Sequence, residues 1–295
     1  MTRWGLTLMA ACLLGCPSGG GGLPPLSTPA FPSDDDDASD DDDVANDDDA
    51  VNDDDAANDD DAADDDDAVN DDDASDDDDA VGACPSGMVL VSGAPEFCID
   101  RYEAALEVWD GAAWFPRSPY GALGSSELVR AVPADGIPPQ GYVSGAEAAA
   151  ACTEVGKRLC TSAEWLAACQ GPSGLTWPYA NTYDGSACND TYPGGHPVID
   201  FFGHSNVWDP TSMNDPGINQ QPDTVEPGGA HAACVSPWGA YDMHGNLHEW
   251  VSDASGAFRG GFYGDAAING AGCTYVTTAH STGYHDYSTG FRCCL

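Results

Sequence analysis

From residue 34 to residue 79 the chain carries 28 Asp and no Lys or Arg, set out as three-Asp runs that recur every six residues. A segment of that composition cannot bury enough apolar surface to offset the entropy of ordering, and its charges repel one another. Any folded domain is therefore confined to the residues that follow. Calcium loops place Gly at a sharp turn and fix their ligands at set positions. No Gly occurs in the run, so it reads as an extended tether that holds divalent ions only loosely. From Cys16 to Cys84 such a coil spans roughly 45 Å, and more with self-repulsion.

That run takes 28 of the 50 acidic residues, which leaves 22 against eight Lys and Arg, for a net charge of −42. Phosphate binding needs cations to displace counterions, so the balance excludes a nucleic-acid binder working by its own charge. It also argues against electrostatic docking on anionic lipid.

At the start, Arg3 precedes an apolar run from Trp4 to Leu14, too short to span a bilayer as a helix. The charged start, the short apolar stretch and the small Gly15 form a secretory signal over residues 1–15. Cys16 directly after Gly15 resembles the lipobox of bacterial lipoproteins, in which that Cys becomes the acylated N-terminus. The resemblance implies export, lipidation at Cys16 and a bilayer anchor made by the acyl chains. Pro17 is not the Asp that retains such proteins in the inner membrane, which implies the outer membrane or cell surface. Residues 16–33 then read as a Gly/Pro linker, 34–81 as the tether and 82–295 as the folded domain.

Of twelve Cys, Cys12 leaves with the signal and Cys16 carries lipid. The even remainder, in an exported domain, predicts five disulfides. Spacing alone does not choose their connectivity, and without a CxxC pair a zinc site has little support. Met88–Val91 and 97–102 read as strands joined by a Gly/Pro turn. The stretch 108–141 reads as irregular. Ser144-Gly145-Ala146-Glu147 and Thr161-Ser162-Ala163-Glu164 have capping-box form and predict two short helices, stopped near Gly156 and Gly171. Periodicity disappears from Trp177 to Tyr241, and strands are expected at 258–263 and 290–294. Short helices, short strands and stapled loops describe an irregular α+β domain.

Five segments in order resemble the formylglycine-generating enzyme (sulfatase-modifying factor) family. They are 97–103 (FCIDRYE), 156–165 (GKRLCTSAEW), 241–250 (YDMHGNLHEW), Arg259-Gly260-Gly261 and Gly290-Phe291-Arg292-Cys293. The resemblance spans about residues 84–295 and implies an irregular α+β fold with a C-type-lectin-like core. It implies disulfides Cys152–Cys293 and Cys169–Cys273; Cys84–Cys98, Cys188–Cys234 and Cys160–Cys294 follow by elimination and proximity.

The family's enzymes oxidise a sulfatase Cys to formylglycine with oxygen and copper(I) held by two thiolates, soft ligands suited to that ion. In the family both Cys lie shortly after RGG, behind a Ser. Here Phe262 stands in the place of the Ser and Asp265 near the first Cys, with no Cys before Cys273. Copper is therefore not expected. The resemblance also implies calcium at Asp242, Gly245, Leu247 and Glu249, hard oxygen donors in one turn, and a second site beginning at Asn189 and Asp190.

Three other constellations are weaker. His244 and His248 with Glu249 resemble a zinc-hydrolase pair, but Gly245-Asn246 between them makes a turn rather than the required helix. His280, His285 and Asp286 read as solvated loop residues, and Trp109, Trp114, Trp177, Trp208 and Trp238 as core. The expected protein is a surface or periplasmic lipoprotein displaying a non-catalytic module for an envelope protein, peptide or glycan. The alternative is the formylglycine-generating oxidase, or another oxidase on this fold, which needs two free thiols.

Overall fold

The computed structural model describes residues 84–295; the signal, lipidation, linker and tether expectations fall outside the described residues. The domain opens on a hairpin, β1 (Met88–Val91) with β2 (Phe97–Asp100). Next come β3 (Ala104–Trp109), β4 (Trp114–Pro116) and β5 (Val129–Pro133), which form a sheet of order β4-β3-β5. The expectation of irregular structure over 108–141 is corrected here. Only the last two residues of β3 fall in that stretch, β4 is too short to show a period, and β5 is a five-residue strand ending on Pro133.

Both helices form where their caps predict. In α1 (Gly145–Glu154) the Ser144 hydroxyl accepts from Glu147 N while the Glu147 carboxylate accepts from Ser144 N. Gly145 opens the helix against Trp250, whose ring lies 3.1 Å from where a Cβ would stand; any side chain there would lift α1 off the sheet. β6 (Arg158–Leu159) leads into α2 (Ser162–Gln170), capped by the same reciprocal pair, Thr161 and Glu164. Trp165, Ala168 and Cys169 lie three and four residues apart on its buried face.

The long loop region holds only α3 (Pro197–Phe202), α4 (Pro210–Met213) and one 3₁₀ turn. β7 (His248–Val251) and β8 (Ala257–Arg259) follow, then β9 (Val276–Thr277), β10 (Thr289–Phe291) and β11 (Cys293–Cys294). The order β10-β7-β8-β9 makes one sheet, with β10 parallel to β7. In the other, β11 enters between β2 and β6, so the last strand closes on the first hairpin.

Because successive side chains of a strand face opposite ways, Cys293 and Cys294 staple different partners. Cys293 bonds Cys152 of α1, and Cys294 bonds Cys160 after β6. Cys169–Cys273, Cys188–Cys234 and Cys84–Cys98 complete the set. The structure thus joins the same five pairs that the sequence reading set out, in an irregular, disulfide-stapled α+β domain.

The fully buried tryptophans are Trp165 and Trp250. None of the five expected in the core is buried, and Trp208 is 58% exposed. Trp165 and Trp250 follow helix and strand periods, whereas the other five sit at strand ends and in loops; of these Trp238 packs against the edge of the core without being buried.

Candidate functional site

Asp242 to Trp250 is the hub of the domain. Gly245 and Asn246 take left-handed backbone, with φ of 82° and 55°. Gly245 is required, since a Cβ would lie 2.1 Å from the Asn189 carbonyl oxygen. Asn246 then ties three segments together. Its Oδ1 accepts from Asn189 Nδ2 and Glu226 N, and its Nδ2 donates to Glu103 and to Glu226 O. Glu103 also accepts from Leu247 N at 3.0 Å.

Two residues on, Glu249 is held by Arg292 in a buried, two-pronged ion pair of 2.6 and 2.7 Å, and Trp165 Nε1 donates to it at 2.7 Å. Burial alone would lower the Arg292 pKa, but Glu249 keeps it raised. Three buried carboxylates, Glu103, Asp242 and Glu249, surround this one guanidinium. Burial, and then the charges of Glu249 and Asp242, push the Glu103 carboxyl well above its usual range. Burial pushes Asp242 up to about 6.

Calcium asks for six to eight oxygens. Asp242, Gly245, Leu247 and Glu249 lie on one turn, but both Glu249 oxygens are spent on Arg292 and Trp165. Asp242 Oδ2 accepts from Gly229 N. At the second expected site, Asn189 Nδ2 donates to Thr224 O and Asn246, and Asp190 faces His244. Among the described residues no three acidic or histidine side chains converge on a point. A cation at this turn would therefore share the Glu249 carboxylate with Arg292 and Trp165.

The segment after Arg259 is equally well filled. Phe262 and Asp265 close a tight turn through bonds in both directions between their backbones. Asp265 Oδ1 accepts from Ala267 N and Ile268 N, and Phe262 is buried against His248. All ten cysteines of residues 84–295 are in disulfides, so no thiol remains among the described residues to hold copper.

His244 and His248 line separate cavities. His248 sits among the rings of Phe258, Phe262 and Tyr275 with centroids 4.5 to 5.5 Å away. Burial, with a lesser contribution from His280, pushes its imidazole down to about 3, so the ring is neutral. Nδ1 is buried without a partner. Nε2 also has no partner within the chain and, unlike Nδ1, is not sealed off; it meets a cavity of about 310 Å³.

Tyr284, Asp286 and Ser288 form the polar wall of that cavity. Tyr284 OH donates to Asp286 Oδ2, while Asp286 Oδ1 accepts from Ser288 N and Oγ. His280 stacks on Tyr284 at 3.7 Å and marks the join to a second cavity of about 550 Å³ floored by Trp208, Met213 and His285. The two cavities share Met213, His280 and Tyr284 as lining and are treated together as one cleft. Its polar groups are already ordered, as a binding site requires. Ser288 bonds a carboxylate rather than an imidazole, so it is not an activated nucleophile.

His280, His285 and Asp286, expected as solvated loop residues, all line this cleft. Tyr275, Tyr284 and Ser288 were missed altogether. The one sequence signal nearby is the density of His, Tyr and Asp from 280 to 287, which includes Tyr284 but neither Tyr275 nor Ser288.

The family model of the sulfatase-modifying factor enzyme 1-like domain matches residues 96–294. Among solved structures the chain is similar to PvdO from Pseudomonas aeruginosa, at 17% identity and a TM-score of 0.44 over 68% of this chain and 80% of that one. It is similar to the Major Tropism Determinant I1 variant at 16% identity and 0.40, over 72% of this chain and 53% of the other. It is also similar to Treponema denticola variable protein 1 at 15% identity and 0.40, over 72% and 99%. A comparison with curated proteins returns no match.

Proposed function

The chain belongs to the family of sulfatase-modifying factor enzyme 1-like domains, and from that premise we propose that it is an exported lipoprotein whose domain binds an envelope ligand rather than oxidising sulfatase cysteines. Family membership does not carry an activity with it. The observation that carries the reading is the state of the sulfur: every Cys of the domain is used in a disulfide. Phe262 stands in the place of the family's Ser and Asp265 near its first Cys, with no Cys before Cys273.

What this chain's own residues offer instead is the cleft over His248. Its neutral imidazole and ring-lined walls suit an apolar or planar group, and Tyr284, Asp286 and Ser288 suit hydrogen-bonding groups beside it. A peptide or glycan of the envelope has both. Cys16 supplies the lipid anchor in this reading, and residues 34–81 the spacer between membrane and domain. Nucleic acid is not a partner.

Two measurements test the proposal. Incubation with a Cys-x-Pro-x-Arg peptide, copper and reductant should leave the peptide thiol unchanged in mass spectrometry; an aldehyde product overturns the reading. Capture from the native envelope with the full chain as bait should give a partner that is lost with Tyr284→Ala. A partner retained by that variant removes the cleft from the proposal.

A further inference from the structure

Across the 262–275 segment from the His248 cleft lies the cavity lined by His244, about 380 Å³, within the size range of small-ligand pockets. Its mouth is formed by Tyr183, Thr191, Ala267 and Ala271, all exposed, and its floor by the buried Asp190, His244, Ala266 and Gly272. Trp177 and Tyr183 stand together on one wall, centroids 5.8 Å apart. Gly272 keeps that wall in place, since a Cβ there would come within 2.8 Å of the Trp177 ring.

At the floor a carboxylate faces an imidazole rather than a Lys or Arg. Asp190 Oδ2 meets His244 Nε2 at 3.1 Å, and both side chains are 2% exposed. Asp190 Oδ1 accepts only hydroxyls, from Thr191 at 3.1 Å and Tyr183 at 3.3 Å. No Lys or Arg among the described residues pairs with it; its one basic contact is an imidazole whose Nδ1 is buried without a partner. A buried carboxylate normally has a lasting cation beside it, as Glu249 has Arg292. Aromatic faces above such a group attract cations too.

We propose that this cavity is a slot for an organic cation on a short aliphatic stem, the side chain of a lysine presented by a partner polypeptide. The alanine walls take the stem, the Trp177 and Tyr183 rings flank the ammonium group, and Asp190 takes its charge. This cavity is separate from the His248 cleft, so either assignment can fail without the other.

The test is calorimetric titration of the full chain with N-acetyl-lysine amide and its uncharged counterpart, N-acetyl-norleucine amide. Physiological salt screens the Asp tract, and variants share that tract, so differences between them report the slot. The lysine derivative should bind at least tenfold more tightly than the norleucine derivative. Asp190→Asn should abolish that preference, and Ala267→Leu, at the exposed mouth, should abolish binding without disturbing the buried floor. Equal binding of the two derivatives, absence of saturable binding, or lysine binding that survives Ala267→Leu overturns the slot.

Discussion

His248 combines two costs in one side chain: a buried nitrogen without a partner and an imidazole that cannot take a proton in the folded state until about pH 3. In the unfolded chain the same ring protonates near its ordinary value of about 6.5. Its pKa is depressed by folding, so the unfolded state binds more protons below that point. Stability from this group is whole above about pH 6.5 and is lost as pH falls toward 3, by at most about 5 kcal/mol. Asp242 and Glu103 are shifted upward and act with the opposite sign, stability falling as pH rises. The difference between wild type and His248→Phe isolates the histidine. That variant should melt higher than wild type, by an amount that grows between pH 6.5 and 4, because a phenyl ring fits among Phe258, Phe262 and Tyr275 and carries no orphaned nitrogen. A gap that is constant with pH would show that His248 titrates normally. The Arg292–Glu249 pair makes a second prediction at this scale. Because the guanidinium already neutralises Glu249, chelation of calcium should leave the melting curve of a chain lacking residues 34–79 unmoved. Glu249→Ala is a poor probe of calcium here, since it strands a buried Arg at a cost of about 3–5 kcal/mol whether or not an ion binds.

Both capped helices were legible in the sequence because a capping box is local: four residues carry the donors and acceptors that start the turn. The hairpin of β1 and β2 was legible for the same reason. β3, β4 and β5 were not, since a three-residue strand and an Ala-Ala-Leu run acquire their identity only by pairing with one another. β7 was hidden too: His248-Glu249-Trp250-Val251 is buried on every residue and shows no alternation. At the candidate site, the RGG and GNLHEW segments announced themselves, whereas the wall of Tyr275, Tyr284 and Ser288 comes from loops whose meeting depends on the whole fold. The partners of the carboxylates were likewise out of reach, because Glu249 and Arg292 lie 43 residues apart. β11 shows what the element scale adds. Two consecutive Cys on one strand fix α1 on one face and the end of β6 on the other, closing sequence separations of 141 and 134 residues. Replacing both Cys152 and Cys293 by Ala should cost roughly 2–5 kcal/mol, and more than removing Cys84–Cys98, because the longer loop gives back more entropy to the unfolded chain. Chemical denaturation of the two double variants checks the order. The reverse order would mean that β11 is held by its sheet neighbours rather than by its staples.

Over the whole molecule, the membrane attachment proposed above rests on the first residues of the chain. No helix among the described residues is long and apolar enough to cross a bilayer. Trp4 to Leu14 is too short to do so as a helix, and Arg3 is the one basic residue ahead of the Asp tract. Charge argues against electrostatic adhesion, since 28 Asp between residues 34 and 79 are repelled by an anionic lipid surface. The attachment proposed here is through acyl chains at Cys16. One chain gives only marginal and reversible binding, whereas two give a stable anchor, so the number of acyl groups decides whether the protein stays on the membrane. Cells fed a radioactive fatty acid should label the wild type and not Cys16→Ser, and the labelled protein should sediment with membranes while the variant stays in the supernatant. The Asp tract adds no electrostatic attraction to lipid, so any retention of the variant reports its apolar run from Trp4 to Leu14. Equal labelling of both proteins, or membrane retention of the unlabelled variant, would show that the anchor lies elsewhere in the chain.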